Sequence, residues 1–147
     1  MPDAPVVLRV ENLSLTLGGK AILHNVSFHL HGGEYVCLVG ANGSGKTTLL
    51  RCLIGYCGSY TGRILWWGQC RSTISQRYLA RRVAYVPQGE GRSAPFSVVD
   101  FVMLARYPHW DLFRSPGPQD RQAVRRALQL TDSEHLAERV VGSLSGG

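Results

Sequence analysis

Polar and apolar residues alternate from residue 6 to residue 12 and again from 22 to 30, where Val26, Phe28 and Leu30 fall on one face. That period of two predicts two strands, and the Gly18-Gly19 pair between them predicts a turn. His31-Gly32-Gly33 then leads into residues 35–39, an unbroken apolar run of the kind that forms a buried strand. Over residues 46–54 the period lengthens to that of a helix. Leu49, Leu50, Leu53 and Ile54 make its apolar stripe, and Gly55 and Gly58 end it. Gly62 and Gly68 bound another strand at residues 63–67, which sets Trp66 and Trp67 on opposite faces. Residues 83–86 form a short apolar strand ended by Pro87. Beyond Pro95 the pattern is helical, first over residues 98–106. A second helix begins at Pro118, a residue suited to the first helical position, with Asp120 at the positive end and Val124, Ala127 and Leu128 facing inward. A third short helix fits residues 134–139. The pattern predicts an α/β first part and a helical second part, without repeats.

Composition narrows the class. With 147 residues, 44% hydrophobic and 18% charged, the chain suits one medium globular domain with a hydrophobic core. No apolar run approaches the roughly 18–20 residues that span a bilayer, and MPDAPVV has neither a basic nor an apolar leader region, so a cytosolic setting is expected. Cys37, Cys52, Cys57 and Cys70 form no CxxC pair, which favours reduced thiols over a metal site or a disulfide framework. The net charge of +6 is spread along the chain, and the pairs Arg81-Arg82 and Arg125-Arg126 read as solvated faces rather than a nucleic-acid stripe. Fourteen of the basic residues are Arg and only two, Lys20 and Lys46, are Lys.

The chemistry concentrates in Gly40-Ala41-Asn42-Gly43-Ser44-Gly45-Lys46-Thr47, which matches G-x-x-x-x-G-K-[ST] between a predicted strand and a predicted helix. Glycines let the backbone wrap closely around phosphate, and successive amides together with the helix N-terminus face a polyanion. Lys46 is placed to reach the β- and γ-phosphates. One such charge pair is worth ~4 kcal/mol at ~4 Å and an effective dielectric near 20, before desolvation. Thr47 is expected to hold Mg²⁺. A chance match has odds of roughly one in 300 for this composition. The scarcity of lysine sharpens the case, since one of the two copies stands where a compact ammonium is needed. The motif implies a nucleoside triphosphate and little more.

Two further stretches, "RRVAYVPQ" ending at Gln88 and "LSGG" at residues 144–147, follow the loop in order. This succession resembles the ATPase subunit of ATP-binding cassette (ABC) transporters along essentially the whole chain. The resemblance implies an α/β P-loop NTPase core with an antiparallel β subdomain and a helical subdomain. Residues 1–94 would carry the nucleotide-binding core and residues 95–147 the helical part. It implies ATP and Mg²⁺ as ligands. Gly40, Asn42, Gly43, Ser44, Gly45, Lys46, Thr47 and Thr48 would form the Walker A site, and Gln88 would act with Lys46 and sit near Mg²⁺. Ser145, Gly146 and Gly147 would close over ATP held by a second subunit, so a homodimer is implied. The other partners implied are membrane permease subunits and, indirectly, a periplasmic substrate-binding protein, with the ATPase peripheral at the cytoplasmic face of the inner membrane. "APFSVVDFVMLARYPHWDLF", with Arg106 to His109, is similar to the importers of siderophores, haem or cobalamin; zinc and manganese importers are the alternative.

The sequence departs from that family in two places. Leu17 stands where many members carry an aromatic that stacks on adenine, and the lost ring–ring interaction amounts to ~1 kcal/mol. No acidic pair follows an apolar run: "FSVVD" precedes the signature, and Asp100 reads as a first-turn helix acid. The Walker B aspartate, the catalytic glutamate and the switch histidine are therefore not found, and the chain reads as a cassette incomplete at its C-terminus. Three readings result: a transport ATPase subunit, an ATP-binding module without turnover, and a soluble ABC protein acting on nucleic acid. The single cassette and the "RYPH" stretch argue against the third.

Overall fold

A computed structural model describes residues 4–87, 95–111 and 115–144. The chain divides into two compact units, Met1–Val83 and Ala84–Gly147.

The first unit is built on a long hairpin. Strands β1 (Val6–Leu17) and β2 (Lys20–His31) pair antiparallel from Val6↔His31 to Leu17↔Lys20. Gly18 and Gly19 join them, both at positive φ as the two-residue turn of a right-twisted hairpin requires. The ladder is irregular near Asn12 and Asn25, which also take positive φ. The amides of those residues donate to Ser27 Oγ and Ser14 Oγ, each at 2.8 Å, so the irregularity leaves neither amide unmet. Strand β3 (Tyr60–Trp66) lies on the other side of β1, and β4 (Gln69–Cys70) pairs with β3, giving the order β2-β1-β3-β4.

Helix α1 (Lys46–Leu53) covers one face of this sheet. Leu49, Cys52 and Leu53 meet Leu8, Val10, Leu13, Leu15, Leu23 and Ile64 in one buried cluster, with Val26, Phe28 and Leu30 packed against it. The helical stripe is rotated from the predicted one: Cys52 is wholly buried, and Leu50 is 43% exposed. Burial, with the neighbouring Cys57, pushes the Cys52 thiol up to about 11. Trp67 also departs from expectation. It and Gly68 form the two-residue turn between β3 and β4, at φ 49° and 78°. The two indoles lie 5.3 Å apart rather than on opposite faces of a strand. Helix α2 (Gln76–Ala80), capped by Ser75 Oγ accepting from the Tyr78 amide at 3.2 Å, completes the unit.

Two predicted strands do not form. Residues 35–39 run without regular structure, with Val39 84% exposed, and Val86 is 90% exposed in the other apolar run. A strand of this composition is stable when neighbours satisfy its amides and cover both faces. Among the described residues no strand pairs with either run.

In the second unit, α3 (Val98–Leu104) begins at Ser97, whose Oγ accepts from the Asp100 amide and donates to Asp100 Oδ2. Asp100 is thus a first-turn acid, as the sequence suggests. Helix α4 (Pro118–Leu130) buries Val124 and Leu128, while Ala127 is exposed. Asp120, 7% exposed, accepts from the Gly117 amide at 2.9 Å and from Arg106 Nε at 3.0 Å. These two donors, the amide first, hold its carboxyl below the usual range. The third predicted helix is reduced to a single 3-10 turn at Glu134–Leu136.

Candidate functional site

The glycine-rich loop leads directly into α1. Gly43 and Gly45 take φ 79° and 89°, a region L side chains rarely occupy, and Gly45 is the residue that opens the helix. The Ser44 amide donates to the Ala41 carbonyl at 3.2 Å, and the Leu49 amide donates to the Gly45 carbonyl at 2.8 Å. No acidic residue occupies the first turn of α1, so nothing within the helix offsets the positive end of its dipole.

Lys46 folds back over the loop it closes. Its Nζ donates to the carbonyls of Gly40 and Ala41, both at 2.8 Å, and to Ser44 Oγ at 3.4 Å. The ammonium therefore bridges the first, second and fifth positions of the motif. Gly40 is confined for the same reason: a Cβ there would stand 2.8 Å from Ser44 Oγ. Thr47 is exposed and Thr48 is half-buried, both on the first turn of α1, and Asn42 in the loop is exposed.

The loop is seated on β2, a contact the motif itself does not announce. A Cβ at Gly45 would lie 3.0 Å from the Ile22 carbonyl oxygen and 3.1 Å from Leu23 Cδ2. Ile22 and Leu23 stand just beyond the hairpin turn, where Leu17 pairs with Lys20. Leu17 is 46% exposed at that end of the hairpin. Ile22 and Leu23 are the positions that sequence reasoning missed, because only the tertiary packing of α1 on the hairpin brings them to the loop.

The loop's features fit a magnesium-bound polyphosphate: positive-φ glycines, a cradle that a methyl group would fill, an ammonium across its mouth and a helix N-terminus without its own anion. Gln88 and Ser145, Gly146 and Gly147 lie outside the described residues. Among the described residues, no group of three or more His, Cys, Asp or Glu could hold a metal ion, and no helix is long and apolar enough to cross a membrane.

A family profile described as "ABC transporter" matches residues 23–147. A hemin import ATP-binding protein of Bordetella pertussis (strain Tohama I) is 41% identical over 142 residues, covering 97% of this chain and 53% of that protein. A ferric enterobactin transport ATP-binding protein of Escherichia coli (strain K12) is 32% identical over 147 residues, covering 100% and 54%. A solved structure described as a metal-chelate type ABC transporter in an inward-facing conformation superposes with a TM-score of 0.75. It has 30% identity and covers 96% of this chain and 50% of its own. The chain spans about half the length of the curated relatives it matches.

Proposed function

The chain belongs to the ABC transporter family, and from that premise we propose that residues 40–48 hold the phosphates of Mg·ATP for a transport ATPase. The observation that carries this reading is the ammonium of Lys46 bridging Gly40, Ala41 and Ser44 at the mouth of a positive-φ glycine loop. On binding, Lys46 exchanges those neutral acceptors for the β- and γ-phosphate oxygens, and the amides around Gly43 and Gly45 point at the same anion. Thr47 and Gln88 would hold the magnesium ion, which would supply positive charge against the phosphates. Asn42, Ser44 and Thr48 complete the cradle, and Leu17 makes apolar contact with adenine. Ser145, Gly146 and Gly147 serve the nucleotide of a second copy.

The exported work is import of an iron complex, a siderophore or haem, through a membrane permease at the cytoplasmic face, with a substrate-binding protein feeding the permease. Relatives named for hemin and ferric enterobactin transport support this substrate class. Within these 147 residues no acidic pair follows an apolar run, so no carboxylate is offered as general base. The chain alone therefore binds Mg·ATP without turnover.

Titration calorimetry tests the core of this reading. The chain takes up Mg·ATP at or below millimolar concentration, and Lys46→Ala abolishes it; no uptake by folded wild-type chain refutes the loop assignment. Steady phosphate release from the pure chain refutes binding without turnover. For the substrate, residues 1–147 exchanged into the Bordetella pertussis relative restore hemin-dependent growth. A folded exchange that binds Mg·ATP but does not restore growth on hemin would count against this substrate class.

A further inference from the structure

The far end of α1 is held in an unusual way. The carbonyls of Leu50, Arg51 and Cys52 accept from the amides of Ile54, Tyr56 and Gly55, at 3.3, 2.8 and 3.0 Å. The next two carbonyls accept from side chains. Trp66 Nε1 donates to Leu53 at 2.9 Å, and Ile54 receives both Arg71 Nη2 at 3.2 Å and Gln76 Nε2 at 3.1 Å. Arg71 is only 9% exposed. Its Nη1 donates to the Ile74 carbonyl at 2.9 Å, its Nη2 also meets Gln76 Oε1, and its Nε is buried without an acceptor.

No carboxylate pairs with this guanidinium among the described residues; the acceptors named above are all uncharged. A buried cation without a counter-ion is costly. An apolar side chain would join helix and sheet without that cost, so burial alone does not account for arginine here. What the site offers a cation is the negative end of α1, equivalent to about half an elementary charge. Gln76 bonds both to the guanidinium and to the same Ile54 carbonyl, which turns a single bond into a two-sided clasp. The opposite end of this eight-residue helix, only ~12 Å away by helical rise, is the phosphate loop.

We propose that Arg71, supported by Gln76, is a positioning residue for phosphate binding. By fixing the Ile54 end of α1, it sets where the N-terminal amides and Lys46 meet the phosphates. The role rests on the phosphate-loop reading above, and the test separates the two. Mg·ATP affinity is measured by calorimetry on the wild-type chain and on Arg71→Leu, Arg71→Lys and Gln76→Leu. Each is kept at a temperature where circular dichroism shows it folded, and urea unfolding without nucleotide is recorded alongside.

Arg71→Leu weakens binding about tenfold, equivalent to about 1.4 kcal/mol. Arg71→Lys recovers part of the loss, because an ammonium can reach Ile54 but cannot serve Ile74 and Gln76 with the same fork. Gln76→Leu weakens binding about twofold to threefold, roughly the share of one neutral hydrogen bond. A purely structural arginine would lower the urea midpoint and leave the affinity of the folded chain unchanged. Wild-type affinity in both Arg71→Leu and Gln76→Leu overturns the proposal. If Arg71→Leu does not fold, wild-type affinity in Arg71→Lys and Gln76→Leu overturns it. Absence of uptake by the wild type itself overturns the loop reading, and the positioning role with it.

Discussion

The bare Cα of Gly55 lies against the guanidinium of Arg71: a Cβ there would stand 2.5 Å from Cζ and 2.8 Å from Nε. Gly55 also holds φ 82° in the turn that ends α1. One residue thus meets two requirements, a left-handed backbone and an open path for a buried side chain. Gly55→Ala is expected to cost about 1–2 kcal/mol for the backbone, plus about 1.5–3 kcal/mol as the displaced guanidinium loses its bonds. In an Arg71→Ala background the same change costs only the backbone share. Urea unfolding of the four chains in this cycle checks it, and equal costs in both backgrounds would show that the contact carries no energy.

Gly43 and Gly45 allow a second separation. Both take positive φ, but a Cβ at Gly43 meets nothing within 4 Å, whereas one at Gly45 meets the Ile22 carbonyl at 3.0 Å. Gly43→Ala is expected to destabilise the unliganded chain by about 1–2 kcal/mol, the backbone cost alone. Gly45→Ala costs more, because a backbone carbonyl within β2 cannot yield as the end of a flexible side chain does. The difference between their urea midpoints measures how firmly the loop is seated on β2. Identical midpoints would mean that the seat does not constrain the loop.

The parts of this architecture that were legible in the sequence are those decided locally. The β1–β2 hairpin follows from alternation and from Gly18-Gly19, and the phosphate loop from glycine and lysine spacing. The stretch around Gly68 reads as hairpin-like, but Trp67 is assigned to the strand rather than to the turn, because it stands where asparagine or aspartate would signal two positive-φ positions. The stripe of α1 was placed slightly wrong because Cys52 counts as weakly apolar in a pattern, yet it fits the core better than Leu50. Arg71 is invisible for a deeper reason: its acceptors lie just past α1, after β4 and on α2, so only the packed unit shows that a charge is buried there. Residues 35–39 and 83–86 have strand composition without strand partners among the described residues, and composition alone does not make a ladder.

Asp120 makes the second unit sensitive to acid. Its carboxyl is held below the usual range by the Gly117 amide and Arg106. A group whose folded value is depressed stabilises the fold above its unfolded value, about 3.9 for aspartate, and that contribution is lost as pH falls through the folded value. Stability is therefore expected to hold from neutral pH down to about 5 on this account and to decline below it. Asp120→Asn lowers stability at pH 7 and flattens the acid limb. The check is the urea midpoint between pH 3 and 7, and parallel curves for the two chains would assign the acid sensitivity elsewhere.

Exposure of apolar side chains in these two runs has a consequence in solution. Tyr35 and Val39 in one run and Val86 in the other present side chains to water with backbone that no described strand engages. Apolar area covered between molecules is worth roughly 25 cal/mol per Å², and backbone outside a sheet can add to the edge of another chain. Concentration-dependent association is the expected result, with binding of a hydrophobic dye that rises as the runs remain uncovered. The double change Tyr35→Lys and Val86→Lys spares the buried cluster of the first unit and adds charge to both runs. It should raise the concentration at which light scattering begins by about threefold or more, with circular dichroism unchanged, because like charges oppose close approach of the same segments. Scattering that begins at the wild-type concentration would place the adhesive surface outside these runs and make their exposure inconsequential for association.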